Sequence, residues 1–136
     1  MHTRLLMGLN AAFMGAIGLA ASFLPQELLI RTDLPPVPAL VVLVQVTGAL
    51  YLGFAYLNWM ARGVLIGGIY ARPLALGNFL HHILVAMTLI KALPQFHAIP
   101  AITLAFVYAV FAAWFGSVIF ASPIKRAHGN GRSGQE

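Results

Sequence analysis

Three residues that could do chemistry lie close together in an apolar stretch, LGNFLHHILVAM, Leu76 to Met87. Asn78 is an amide, while His81 and His82 carry imidazoles, which transfer protons and bind metal ions near neutral pH. Polar and ionisable side chains are costly in a bilayer and by default mark a functional site. At about 100° per residue the three span roughly 100° of arc. We therefore expect them to point into a helix bundle.

The spacing of the two histidines disfavours a metal site within one protomer. One helix presents two histidines to a metal best at i, i+4 spacing, whereas His81 and His82 diverge by about 100°. No other histidine and no carboxylate lies in an apolar run. We therefore predict no metal and no resident cofactor. Haem held between two copies in a homodimer, or a quinone at the same histidines, remains an alternative.

Candidates for enzyme chemistry are few. The chain contains no cysteine, which excludes disulfides, thiolate ligands and a cysteine nucleophile. No P-loop, nucleophile elbow or dinucleotide fingerprint is present. Carboxylates usually carry intramembrane proton relays, yet the acids lie outside the apolar runs, at Glu27, Asp33 and Glu136. The sequence leans towards a protein that is not an enzyme.

The composition predicts that these residues belong to an integral membrane protein. Of 136 residues, 60% are hydrophobic and 8% charged, with a mean hydropathy of +0.87. Soluble domains carry about 25% charged residues. Four apolar runs each approach the roughly 20 residues that a spanning helix needs. They lie near Leu5–Leu24, Val37–Ala61, Pro73–Leu93 and Ile99–Ala121. We predict an all-α, polytopic membrane protein whose four transmembrane helices form an antiparallel bundle, one domain over residues 1–121.

The two ends of the chain are predicted to differ. Arg4 and the small residues of GLAAS resemble parts of a secretory signal peptide. The first apolar run is long, however, and no clear A-x-A site follows it, so a retained helix is favoured. The segment 122–136 is rich in glycine and serine and basic, which predicts a disordered cytoplasmic tail.

Lysine and arginine predict the orientation, because cytoplasmic loops carry an excess of them. With four spans, one side holds Arg4, Arg62, Arg72, Lys125, Arg126 and Arg132, and the other holds Arg31 and Lys91. This pattern predicts that both termini lie in the cytoplasm. A net charge of +5 distributed over loops in this way indicates a lipid bilayer as the partner and no nucleic acid.

Stripes of small residues predict where helices meet, since they let backbones approach closely in lipid. The stripe of the fourth run is Ala105, Ala109, Ala112 and Gly116. That of the first run is Gly8, Ala12 and Gly15, with Ala11, Gly18 and Ser22 beside it. Packing within one bundle explains both stripes, and dimerisation is the alternative.

Polar residues converge on the cytoplasmic half of this predicted bundle. Asn58 lies near the cytoplasmic end of its run, Asn78 lies roughly 8 Å in from the same side, and Asn10 and Ser117 lie at a similar depth. Two arginines flank the inner loop, where they could hold an anionic headgroup. The candidate ligand-binding residues are Asn58, Arg62, Arg72, Asn78, His81 and His82. Hydrogen bonding across helices, or ordinary anchoring by the arginines, is the alternative.

Three segments carry a resemblance to a known group of proteins. They are FLPQELL at the end of the first run, QVTGALYLGFAYLNWMARG in the second, and GGIYARPLALGNFLHH opening the third. Together they resemble small four-helix bacterial membrane proteins of the DoxX-like kind and related families of unknown function. The resemblance covers most of the chain and implies the four-helix architecture and a location in the bacterial inner membrane. It implies no catalytic residue.

The function expected from the sequence is binding. We expect a small membrane module that binds a lipid- or quinone-like amphiphile, or a membrane-protein partner, through the polar layer. The alternatives are a redox subunit that holds haem or quinone with His81 or His82, and a small transporter.

Overall fold

Residues 2–63, 71–94 and 99–121 are described by the computed structural model of the chain. Within them the chain forms five helices: α1 (His2–Phe23), α2 (Pro25–Arg31), α3 (Pro38–Ala61), α4 (Ala71–Ala92) and α5 (Ile99–Ala121). The predicted all-α class is confirmed, and α1, α3, α4 and α5 are long and apolar enough to cross a membrane. The predicted disordered tail, 122–136, lies outside the described residues.

The short helix α2 lies where the sequence predicts only a break at Pro25. Proline suits the first position of a helix because its missing N–H would have no partner there, so Pro25 begins α2 directly after α1. The hydroxyl of Thr32 donates to the carbonyls of Leu28 and Leu29 at 3.1 and 2.9 Å. Those bonds satisfy carbonyls at the end of α2, and Leu29 is buried.

The four long helices pack as two close pairs, α1 with α3 and α4 with α5, and contact between the pairs is sparse. The first pair depends on glycine. A Cβ added to Gly18 would lie 2.9 Å from the backbone nitrogen of Leu52, and one added to Gly48 would lie 2.6 Å from that of Ser22. The absence of a side chain at these two positions therefore sets the distance between α1 and α3.

The small-residue stripe predicted for α1 is wrong at two positions. Gly8 has no neighbour within 4 Å of an added Cβ, and Ala12 is exposed. The contact with α3 uses Gly15, which the predicted stripe included, and Gly18, which was predicted beside it. A Cβ on Gly15 would lie 3.7 Å from that of Ala55. Small residues lie on several faces of α1. Residue size therefore predicted that α1 packs closely but did not identify the face that contacts α3.

The stripe predicted for α5 lies in the interior, as expected. Ala105, Ala112 and Gly116 are buried and Ala109 is half-buried. A Cβ on Gly116 would lie 3.1 Å from the ring of Phe79 in α4. At the end of the bundle that holds the start of α1, one apolar cluster joins α1 to α4 and α5. Its buried members are Leu6, Met7, Ala75, Phe115 and Ile119.

Candidate functional site

Three asparagines from three helices meet in the interior and form what we call the asparagine cluster: Asn10 of α1, Asn58 of α3 and Asn78 of α4. Each is 0% exposed. Asn58 and Asn78 exchange hydrogen bonds, with each Nδ2 donating to the other Oδ1 at 2.9 and 2.8 Å. Asn10 Nδ2 donates to Asn78 Oδ1 at 2.8 Å. The cluster therefore links the α1–α3 pair to α4.

The structure brings these three residues of the predicted polar layer together but leaves Ser117 out of the cluster. The side chain of Ser117 is exposed, and its hydroxyl donates to the carbonyl of Trp114 in its own helix at 2.8 Å. The prediction gave Ser117 a depth along its helix but no direction around it, and its side chain points outward. Asn10 lies away from the small-residue stripe of α1, and it contacts α4 from there.

His82 lies one turn beyond the asparagine cluster and is 0% exposed. Its Nδ1 is 2.7 Å from the carbonyl oxygen of Asn78. A carbonyl only accepts, so Nδ1 carries a proton and donates it. In the neutral imidazole, Nε2 is then a bare acceptor. Nε2 is buried and has no hydrogen-bond partner among the residues that the structure describes.

His81 is half-buried beside His82, and aromatic rings surround both. The ring of His81 lies edge-on to Tyr51 at 5.2 Å and stacks on Phe54 at 5.5 Å, measured between centroids. Its Nε2 is also buried, with no partner in the described part of the chain. The ring of His82 lies 5.4 Å from Tyr108. The structure thus brings two imidazoles together with two phenols.

Those two phenols form the tyrosine pair, Tyr51 of α3 and Tyr108 of α5. Their hydroxyl oxygens are 2.6 Å apart, and either one could donate. Tyr108 is 1% exposed. Neither tyrosine is among the predicted site residues, although Tyr51 lies two turns before Asn58 on the same helix face. The sequence does contain a signal for Tyr108. It lies between Ala105 and Ala112 on the small-residue stripe, and this position turns the side chain of Tyr108 inward.

A cavity of about 350 Å³ adjoins the tyrosine pair, and we call it the tyrosine cavity. It lies between the two helix pairs, with α2 also contributing to its wall. Apart from the two tyrosines, its lining is aliphatic: Ile17, Ala20, Leu28, Val85, Leu89 and Leu104. The sparse contact between the helix pairs leaves this space open.

The two arginines are not brought to this interior. The guanidinium carbon of Arg62 lies 3.2 Å from the centroid of the Trp59 ring, a cation–π contact. Arg72 is exposed near the start of α4. The loop between them, 64–70, lies outside the described residues, so their joint binding of an anionic headgroup stays a prediction.

The polar interior therefore has an order along the bundle. The asparagine cluster comes first, His82 follows about 6 Å along α4, and Tyr51 lies about 10 Å from Asn58 along α3. Across the described ranges, no group of three or more histidines and acids could hold a metal ion. The chain matches no family model, and neither curated proteins nor solved structures include a significant match to it.

Proposed function

We propose that the chain is a multi-pass protein of the bacterial inner membrane, with four antiparallel spans and both termini in the cytoplasm. The outward surface supports membrane insertion: Leu43 and Leu50 of α3 are 60% and 63% exposed. Gly15 lies against Ala55 while Gly48 lies against Ser22, so later residues of α1 meet earlier residues of α3. That register supports the antiparallel arrangement, and the lysine and arginine distribution supports the orientation.

The orientation can be tested directly because the chain contains no cysteine. Single cysteines replace Asp33, between α2 and α3, or Gly63, just after α3, and both positions are exposed. A membrane-impermeant maleimide applied to spheroplasts should label Asp33→Cys. Gly63→Cys should be labelled only after permeabilisation. The opposite pattern would invert the proposed topology, and labelling of both in intact spheroplasts would contradict an odd number of crossings between them.

We further propose that the protein is a non-enzymatic module that binds a lipid- or quinone-like amphiphile inside the bundle. One observation carries this proposal: two buried imidazole nitrogens, Nε2 of His81 and of His82, have no partner among the described residues. Leaving a buried donor or acceptor unsatisfied costs about 1–3 kcal/mol, and native proteins rarely do so without a reason. A ligand that hydrogen-bonds to these nitrogens, as a donor to Nε2 of His82, would remove that cost.

Native mass spectrometry of the full chain, released from a mild detergent, tests the proposal. We expect an added mass on each protomer of the parent that is lost in His82→Leu. Leu80→Ala is the matched control, because Leu80 lies on the same helix and is 54% exposed. Loss of the mass in Arg72→Ala as well would extend the site to the predicted headgroup region. A bare parent would contradict a resident ligand and favour a membrane-protein partner.

A redox subunit is the second candidate function, and the hydrogen bond of His82 favours it. Histidines that ligate a metal typically donate their other ring N–H to a carbonyl or carboxylate, and His82 Nδ1 is placed in this way on Asn78. Haem would need a second axial ligand, which a homodimer could supply. Expression with added haem tests this: a Soret band that disappears in His82→Leu supports it, and a colourless parent excludes it.

A further inference from the structure

The tyrosine cavity has the size of a small-molecule site. Its volume is about 350 Å³, whereas an apolar cavity of roughly 150 Å³ already accepts benzene and ligand pockets begin near 300 Å³. An aromatic ring with a short alkyl chain would therefore fit. Val85 and Leu104 approach from α4 and α5, and Ile17 from α1. The aliphatic wall favours an apolar body over a charged one.

The tyrosine pair supplies the polar contact at this cavity. Two hydroxyls have two protons to donate, and the bond between Tyr51 and Tyr108 uses one of them. The second proton has no acceptor among the described residues. The ring of His82, whose Nε2 lacks a donor, lies beside this pair, with its centroid 5.4 Å from that of the Tyr108 ring. The tyrosine pair therefore lacks an acceptor, and the neighbouring His82 lacks a donor.

We infer that the tyrosine cavity binds a small apolar molecule that carries one hydroxyl group, of the phenol or alcohol class. A hydroxyl is donor and acceptor at once, so it can accept from the tyrosine pair and offer its own proton within the same cluster. A ketone or ether can only accept. This inference rests on the proposed function. It places the amphiphile on the side of the histidines that faces α2, and it identifies the polar head of the amphiphile as a hydroxyl group.

The test uses two probes that differ in one position: 4-pentylphenol, and 4-pentylanisole, in which a methyl group replaces the hydroxyl hydrogen. Both enter detergent micelles, so the ether corrects for effects of the micelle. A ligand that binds the folded state raises its stability with concentration. We expect 4-pentylphenol to raise the midpoint of thermal unfolding of the full-length protein in a saturable way, and 4-pentylanisole to leave it unchanged.

Two neighbouring substitutions locate the site. Val85→Phe fills the cavity, and Leu84→Phe adds the same ring at a position that is 54% exposed. We expect Val85→Phe to weaken phenol binding by at least about tenfold, equivalent to about 1.4 kcal/mol, and Leu84→Phe to bind like the parent. Leu104→Trp fills the cavity from α5. Should Val85→Phe lose helical structure by circular dichroism, Leu104→Trp decides the result.

The outcomes separate this inference from the proposed function. If phenol and ether act alike on the parent, or if filled variants bind the phenol like the parent, the inference is overturned. If the native mass is then still lost in His82→Leu, the proposed function stands with a different ligand site. A parent that carries no native mass yet binds 4-pentylphenol through the cavity would support the inference and contradict a resident ligand.

Discussion

The asparagine cluster and the tyrosine cavity occupy the same bundle but treat polar groups in opposite ways. In the asparagine cluster the amides of Asn58 and Asn78 satisfy one another, and Asn10 adds a third helix. One oxygen of the cluster, Asn10 Oδ1, has no partner among the residues that the structure describes. Around the tyrosine pair, hydroxyls and imidazoles lie near each other with unused donors and acceptors, beside open space.

The difference suggests a division of roles between the two regions. Amides that satisfy each other hold helices together, and interhelical hydrogen bonds of this kind contribute about 0.6 kcal/mol each on average. Groups that the protein leaves unsatisfied contribute less to folding and are available to a ligand. Substitutions in the asparagine cluster should therefore affect stability, and those near the tyrosine cavity should affect binding more than stability.

Asn78→Leu should have the largest effect, because it removes the residue that bonds to both Asn10 and Asn58. We expect the free energy of unfolding to fall by about 3 kcal/mol, from three lost interhelical bonds and amides left unsatisfied. Unfolding in sodium dodecyl sulfate measures this decrease in the free energy of unfolding. Thr88→Val on the same helix is the control, since Thr88 is exposed and its hydroxyl bonds within α4. Equal stability of Asn78→Leu and the parent would contradict a structural role for the asparagine cluster.

Gly48→Ala should be next, because it forces apart the close α1–α3 contact. The added Cβ would lie 2.6 Å from the backbone nitrogen of Ser22, and overpacking of this kind costs about 1–3 kcal/mol. Gly53→Ala in the same helix meets nothing within 4 Å and should be neutral or slightly stabilising, since alanine is the better helix former. If Gly48→Ala and Gly53→Ala have the same free energy of unfolding, close backbone contact does not stabilise the α1–α3 pair.

Tyr108→Phe should have a smaller effect on stability, about 1 kcal/mol for one hydrogen bond. Its effect on 4-pentylphenol binding should be larger than its effect on unfolding, because it removes a hydroxyl at the proposed site. Tyr56→Phe is the matched control, with a side chain that is 64% exposed. A Tyr108→Phe protein that loses stability but binds the phenol normally would place the tyrosine pair with the structural region.

His82→Leu should have the smallest effect on unfolding, below about 1 kcal/mol. It loses the bond to the carbonyl of Asn78 but also removes a buried acceptor that has no partner, and the two changes offset each other. The unfolding free energy of the ligand-free protein measures it. A loss as large as that of Asn78→Leu would mean that His82 belongs to the structural region, and the distinction between the two regions would fail.

The polar content of the interior could be predicted from the sequence in part. An amide or imidazole in an apolar run must turn towards other helices, and helical periodicity correctly pointed Asn78 and His82 inward. The same reasoning could not tell that Asn58 and Asn78 satisfy each other. That depends on the relative height of α3 and α4, which the loop lengths leave free.

The sequence by itself determined the four long helices, because a helix satisfies its backbone hydrogen bonds internally and each of the four has its own continuous apolar run. The α5 bounds, Ile99–Ala121, are those predicted. The tertiary structure alone decided that α1 pairs with α3 through Gly18 and Gly48, that Tyr108 meets Tyr51, and that a cavity remains between the helix pairs. Those features depend on rotation and distance between helices, which side-chain packing sets and no single run of residues encodes.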